Sequence, residues 1–307
     1  MHIYLSIIYS TAYRIVINST TIFRNTRRHI LIFKLFFSIV ILLYVLMSHD
    51  VDWRRQGAPA DHIVARKERF DPETIKEIHV KNPYYNIPNY MHLEEKYNIK
   101  STFFFRTIYE NGNYKDYEDD IKELYKGGWE IGLHCDPNSV DDYSKIKDEK
   151  KKLENITKNS IKANRSHYLN FNKKLPSILK SLGFSYDSSY KKSKDKIDKE
   201  DMGFNFVDGI IEFPITLMDA YIFTYMQIKE DKIVKLFSDT IDYAKKQNNE
   251  FNVITVIWHD NVLKMKGGRE YEKILEFLCS QDKIIIKRGI DLANIILENN
   301  STEYQNK

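Results

Sequence analysis

From Ile30 to Met47 the chain is almost unbroken in apolar residues (ILIFKLFFSIVILLYVLM), and it passes without a linker into the polar run Ser48-His49-Asp50-Val51-Asp52. Beyond residue 85, short aromatic or β-branched runs alternate with segments whose apolar residues recur at helical spacing. Strands are expected over 101–106, 129–134, 161–168, 184–187, 210–215, 253–258 and 283–287. Helices are expected over 86–97, 117–126, 142–158, 174–182, 231–246, 270–279 and 290–298. Strand followed by helix, repeated, predicts parallel strands joined by crossover helices. Between the first strand and residue 83 lies a polar, irregular stretch containing Gly57, Pro59 and Pro72. It is too long for a tight connection and reads as an excursion over the mouth of a site.

The apolar run has two readings. With the basic residues Arg24, Arg27 and Arg28 before it, it approaches the ~20 residues that span a membrane, so membrane association through residues 24–47 stays open. A first strand delivering Asp50 and Asp52 would use its last residues, leaving Ile30–Leu42, which is short for a span and contains Lys34. The preferred division is an apolar leader over 1–40 and one catalytic domain over 41–300, in a cytoplasmic or membrane-associated protein.

The composition, 42% hydrophobic and 29% charged, is that of a folded chain, and 307 residues suffice for one large core. The net charge of +4 is small, and Lys and Arg interleave with Asp and Glu, so there is no basic face for nucleic acid. Two cysteines, Cys135 and Cys279, offer neither a disulfide framework nor a thiolate metal site.

In parallel β/α folds reactive groups collect at the carboxyl ends of strands. Here those ends carry Asp50 and Asp52, then His134, then Arg165 and His167, then His259. Residues two apart in an extended segment share a face, so both aspartates can serve one site. A carboxylate with imidazoles is a donor set for a divalent metal. Taken singly, each has a plainer explanation as a turn residue or a hydrogen-bonded histidine. His49, His62, His79 and His92 have no such neighbours and are read as structural.

Seven segments together resemble, in order, the motifs of the NodB-like polysaccharide deacetylases: Ser48–Asp52, Tyr97–Phe105, Gly128–His134, Arg165–Tyr168, Leu182–Ser189, Ile211–Pro214 and Ile257–His259. The resemblance covers roughly residues 43–295. It implies an α/β fold, a distorted (β/α) barrel, and metal-dependent removal of acetyl groups from an N-acetylated sugar or polysaccharide, with zinc the first candidate metal. It also implies roles: Asp50 as catalytic base, Asp52, His134 and position 138 as metal ligands, Arg165 orienting the base, the main-chain amide of Tyr168 holding the oxyanion, and His259 as general acid.

This sequence departs from the pattern in three places. Asn138 stands where a second metal histidine is usual, and an amide oxygen is a poorer ligand for zinc. The aspartates are separated by Val51, so base and ligand roles could be exchanged. His167 replaces a proline and offers a substitute ligand or a substrate contact. Two other functions use the same residues: a glycan-binding module without hydrolysis, and a hydrolase of non-sugar C–N bonds.

Overall fold

The apolar run ends inside a strand. The structure, a computed structural model, describes residues 42–305 apart from 111 and 248–250, with side chains described to residue 300. The leader assigned to 1–40 lies outside the described residues. Among the described residues no helix is long and apolar enough to cross a membrane.

Strand β1 covers Leu43–Val51 and is central. On one edge it pairs in parallel with β9 (Asn252–Ile257). Along the other edge it pairs first with β10 (Ile284–Lys287) and then with β2 (Thr102–Phe105). From β2 the parallel order continues through β3 (Glu130–Cys135), β4 (Ala163–Ser166), β5 (Tyr186–Asp187) and β7 (Ile210–Glu212). Strand β6 (Asn205–Val207) is antiparallel on β7, and the two-residue β8 (Leu217–Met218) closes the far edge on β9. The result is a curled, mixed sheet with open edges, the expected distorted barrel.

Helices α1 (Ala60–Val64) and α2 (Pro72–Lys76) lie in the excursion after β1. The crossovers are α3 (Ile87–Lys96), α4 (Glu118–Lys126), α5 (Tyr143–Thr157) and α6 (Leu175–Ser181). The chain then runs through α7 (Asp219–Thr224), α8 (Ile233–Lys246), α9 (Tyr271–Ser280) and α10 (Gly289–Gln305). Short β6, β8 and α7 were not expected from the sequence. The turn between β6 and β7 did carry a signal, since Asp208 and Gly209 both have positive φ, the conformation that an Asp-Gly pair favours in two-residue hairpins.

Period-two alternation sorts the strands' side chains. Val45, Met47 and Val51 of β1 pack outward into the main core with the helices. Leu46 faces inward with Phe104, Ala163, Tyr186 and Val253, where Leu292, Ala293 and Ile296 of α10 plug the barrel. Gly132 makes room there, because a Cβ at that position would sit 2.5 Å from the Phe104 ring. Continuing the inward register toward the carboxyl ends of the strands leads from Leu46 to Ser48 and Asp50, from Gly132 to His134, and from Ala163 to Arg165. Chain parity therefore sets polar chemistry on top of an apolar plug.

Candidate active site

Asp50 and Arg165 form the most buried ion pair of the site. Nη1 of Arg165 lies 2.7 Å from Asp50 Oδ1 and 2.9 Å from Ser48 Oγ. The guanidinium is held from behind by Ser188, through its carbonyl (2.9 Å from Nε) and its hydroxyl (2.9 Å from Nη2). Burial alone would raise the Asp50 carboxyl pKa. The Arg165 charge, helped by His134 and His259, outweighs it and holds the group below its usual value. Asp50 is thus an ionised carboxylate beside the Arg165 guanidinium.

His259 forms the opposite pair. Its Nδ1 is 2.6 Å from Asp219 Oδ1, and its main-chain N–H donates to Asp219 Oδ2 at 2.6 Å. Burial pulls the imidazole pKa down, but Asp219, with Asp52 and Asp50, pushes it up to about 10. His259 Nε2 points back across the site, 3.7 Å from Asp52 Oδ2. Asp219 was missed in the sequence because it follows a strand of only two residues, too short to show a period.

Between these pairs stand Asp52, His134 and His167. Asp52 Oδ1 is 3.1 Å from His134 Nε2 and 3.2 Å from His167 Nδ1, and the two nitrogens are 2.9 Å apart. His134 Nδ1 sits 3.0 Å from the Arg165 carbonyl, which can only accept, so this nitrogen carries a proton and Nε2 is the ring atom turned toward Asp52 and His167. Burial works against charge on Asp52, yet hydrogen bonds to His134 and His167 and the charge of His259 hold its pKa well below the usual value. His167, unlike His259, is held below the usual imidazole value, chiefly by burial.

This donor set fits a divalent metal. Ligands ~2.0–2.1 Å from a tetrahedral zinc are separated by roughly 3.3 Å, and the three edges here are close to that. All three donor atoms lie within 4.8 Å of one another. Asn138 has a different attachment in this structure: its side-chain amide and its main-chain N–H both donate to Asp136 Oδ1, at 3.1 and 2.9 Å. His167, the residue that replaces a proline, stands with Asp52 and His134 instead.

Tyr168 and Leu169 turn the chain after β4 with φ of 61° and 52°, a region that non-glycine residues seldom occupy. Tyr168 is 79% exposed, and its ring rests on His167 with centroids 3.9 Å apart. Arg106 donates to the Asp52 carbonyl at 2.9 Å and so braces the end of β1. His49 lies beneath the site, fully buried, with ring nitrogens 2.6 Å from the Trp258 carbonyl and 2.7 Å from Glu94 Oε1, a structural role as expected. Both thiols are free.

Beside the site opens a cleft of about 580 Å³ whose lining includes Asp52, Asp219 and His259. Its outer wall is the excursion after β1, where Trp53, Tyr84 and His62 meet edge to face. The excursion therefore does reach the site mouth, and His62, read as structural in the sequence, lines the cleft.

Comparison with known proteins gives concordant findings. Residues 82–186 match the family model described as polysaccharide deacetylase. No curated protein matches the sequence. A candidate polysaccharide deacetylase from Mycobacterium smegmatis superposes with a TM-score of 0.60 at 17% identity, over 86% of this chain and 93% of that one. A second candidate, from Pseudomonas aeruginosa, gives 0.58 at 12% identity, over 82% and 90%. The Puue allantoinase gives 0.58 at 13% identity, over 84% and 91%. At these identities the likeness establishes the fold.

Proposed function

We propose that this chain, a divergent relative of the polysaccharide deacetylases, is a metal-dependent hydrolase that removes an acetyl group from an N-acetylated sugar. The observation that carries this reading is the position of the Asp52, His134 and His167 donors between two oppositely built ion pairs, Asp50–Arg165 and His259–Asp219. A divalent ion bound by those three donors would supply Lewis acidity toward the acyl oxygen.

The chain's own residues divide the proton work. Asp50 is ionised beside Arg165 and accepts the proton of the attacking water. His259, protonated against Asp219, returns a proton to the departing nitrogen, so the C–N bond breaks to acetate and amine. The main-chain N–H of Tyr168 is the proposed donor to the developing oxyanion, which would explain why so large a side chain tolerates a left-handed backbone. Assigning the base role to Asp50 and the ligand role to Asp52 follows their partners: one meets a guanidinium, the other two imidazoles.

The test combines elemental analysis of the purified chain with acetate release from N-acetylated chito-oligosaccharides, before and after a chelator. Stoichiometric metal and chelator-sensitive acetate release are expected. Metal without acetate release from sugars, but with cleavage of small non-sugar amides, would move the activity to other C–N bonds. A chain that recruits no divalent ion and releases no acetate would be a binding module.

A further inference from the structure

The cleft that reaches Asp52 and His259 is lined by three cations, Arg66, Arg69 and Lys266, against one carboxylate away from the site, Glu68. Their charges are poorly neutralised. Arg66 donates to the His62 carbonyl at 3.1 Å, and Lys266 donates to the Glu68 carbonyl at 3.0 Å; both acceptors are neutral main-chain groups. Arg69 approaches the Glu68 carboxylate only at 3.9 Å, with half of its side chain exposed.

The wall that bears them is fixed. The Lys266 main-chain N–H donates to the Arg69 carbonyl at 2.7 Å, and Phe70 and Met265 form a bridge, so the excursion after β1 is stitched to the segment after β9. Phe70 and Met265 also pack in one small apolar cluster with Ile63 and Tyr84. The cations' field is felt locally: burial, then Arg66 and Arg69, push the His62 imidazole below its usual pKa, so it stays neutral beside Trp53. Aromatic faces for a sugar ring thus lie between a hydrolytic floor and a basic rim.

We infer that the substrate of this cleft is anionic, carrying a carboxylate or phosphate that Arg66, Arg69 and Lys266 receive while Asp52 and His259 face its acyl group. Guanidinium and ammonium groups bonded only to carbonyls keep donors and charge for an oxyanion, and a one-signed cleft concentrates such ligands. The inference rests on the deacetylase reading for the identity of the acyl group, but the charge preference can be measured separately.

The test is calorimetric titration of the full chain carrying Asp50→Asn, to prevent turnover, with three anionic probes and a neutral one. The anionic probes are N-acetylglucosamine 6-phosphate, N-acetylmuramic acid and N-acetylneuraminic acid; the neutral one is N-acetylglucosamine. At low salt at least one anionic probe is expected to bind about tenfold more tightly than the neutral sugar, with the advantage shrinking as salt screens the rim. The ratio should fall toward one in Arg66→Gln/Lys266→Gln. The phosphate and carboxylate arms show which oxyanion is preferred. Absence of any preference, or of binding by all four probes, overturns the inference, as does a preference that the double variant and salt leave intact. Acetate release by wild type decides the other question. Release from all probes without charge preference retains the deacetylase and removes the anionic substrate, whereas anion-selective binding without release from any probe does the reverse.

Discussion

Strand β3 carries a titratable side chain near each end, and the two are treated in opposite ways. His134, at the carboxyl end, has Nε2 at 3.1 Å from Asp52, 2.9 Å from His167 and 3.8 Å from Asp50, so its ring meets two carboxylates. Glu130, on the same face four residues earlier, sits at the barrel's other mouth. There its Oε2 accepts from Thr102 Oγ1, Tyr186 OH and the Ile290 main-chain N–H, at 2.7, 3.0 and 3.0 Å. Burial, against those bonds, pushes the Glu130 pKa up to about 7. One end of the barrel keeps charges and pairs them; the other ties β2, β5 and α10 together around an acid that burial favours as neutral. Chemistry and stability are thus assigned to opposite ends of one barrel, and substitutions at the two ends should fail in different ways.

The largest expected effect is at the charged end. Asp50→Asn and His259→Ala should each lower turnover by about 10²–10⁴-fold, the usual worth of a general base or acid, while metal content stays near wild type. Kinetics at matched metal occupancy check this. Wild-type turnover in Asp50→Asn removes it as base, and metal loss in that variant shows that Asp50 and Asp52 have exchanged roles.

Next come the proposed ligands. Even outer partners of a metal site are typically worth about 10–100-fold in affinity, so Asp52→Ala, His134→Ala and His167→Ala should each cost more than that. Asn138→Ala, which removes a group bonded to Asp136, should cost far less. Competition against a chromogenic chelator ranks the four, and an Asn138 effect as large as that of His167 would restore Asn138 to the ligand set. A smaller effect is expected from Asp219→Asn. The carboxylate that stabilises protonated His259 is then neutral, so the imidazole pKa falls and the alkaline limb of the rate profile moves to lower pH. An unmoved limb would dissociate His259 from that limb.

Much of this site was legible because strand ends are legible. Runs such as Val253–Trp258 and Trp129–His134 declare β-structure through branching and aromatics, and the polar residue that ends each run then stands out. Asp50, Asp52, His134, Arg165 and His259 were found that way, and the structure brings all five together. Asp219 was not, because nothing in a two-residue strand followed by a six-residue helix separates its carboxylate from any helix-start aspartate. The competition between Asn138 and His167 also lay beyond the sequence. It depends on where the turn after β4 aims a ring, and that turn runs through left-handed residues, Tyr168 and Leu169, that propensity disfavours. The basic rim was invisible for a related reason, since Arg66 and Lys266 are two hundred residues apart in a chain rich in both charges.

The uncharged end of β3 makes the smallest prediction and the one with the cleanest sign. Unfolded, Glu130 titrates near its ordinary 4.5; folded, it titrates near 7. Between those values the unfolded chain has released the proton and the folded chain still holds it, so the folded state binds more protons and stability must fall as pH rises. The contribution is complete below about pH 4.5, is lost progressively to about pH 7 and is flat above. At ~1.4 kcal/mol per unit the loss is at most about 3.5 kcal/mol. Glu130→Gln keeps a neutral polar group of the same size but has nothing to ionise, so its urea midpoint relative to wild type should climb from pH 4.5 to 7 and then level off. Its turnover should follow wild type, because Glu130 lies at the mouth of the barrel away from Asp52. Parallel stability curves for the two proteins would mean that Glu130 is ionised when folded, and the contrast between the ends of the strand would then lose its physical basis.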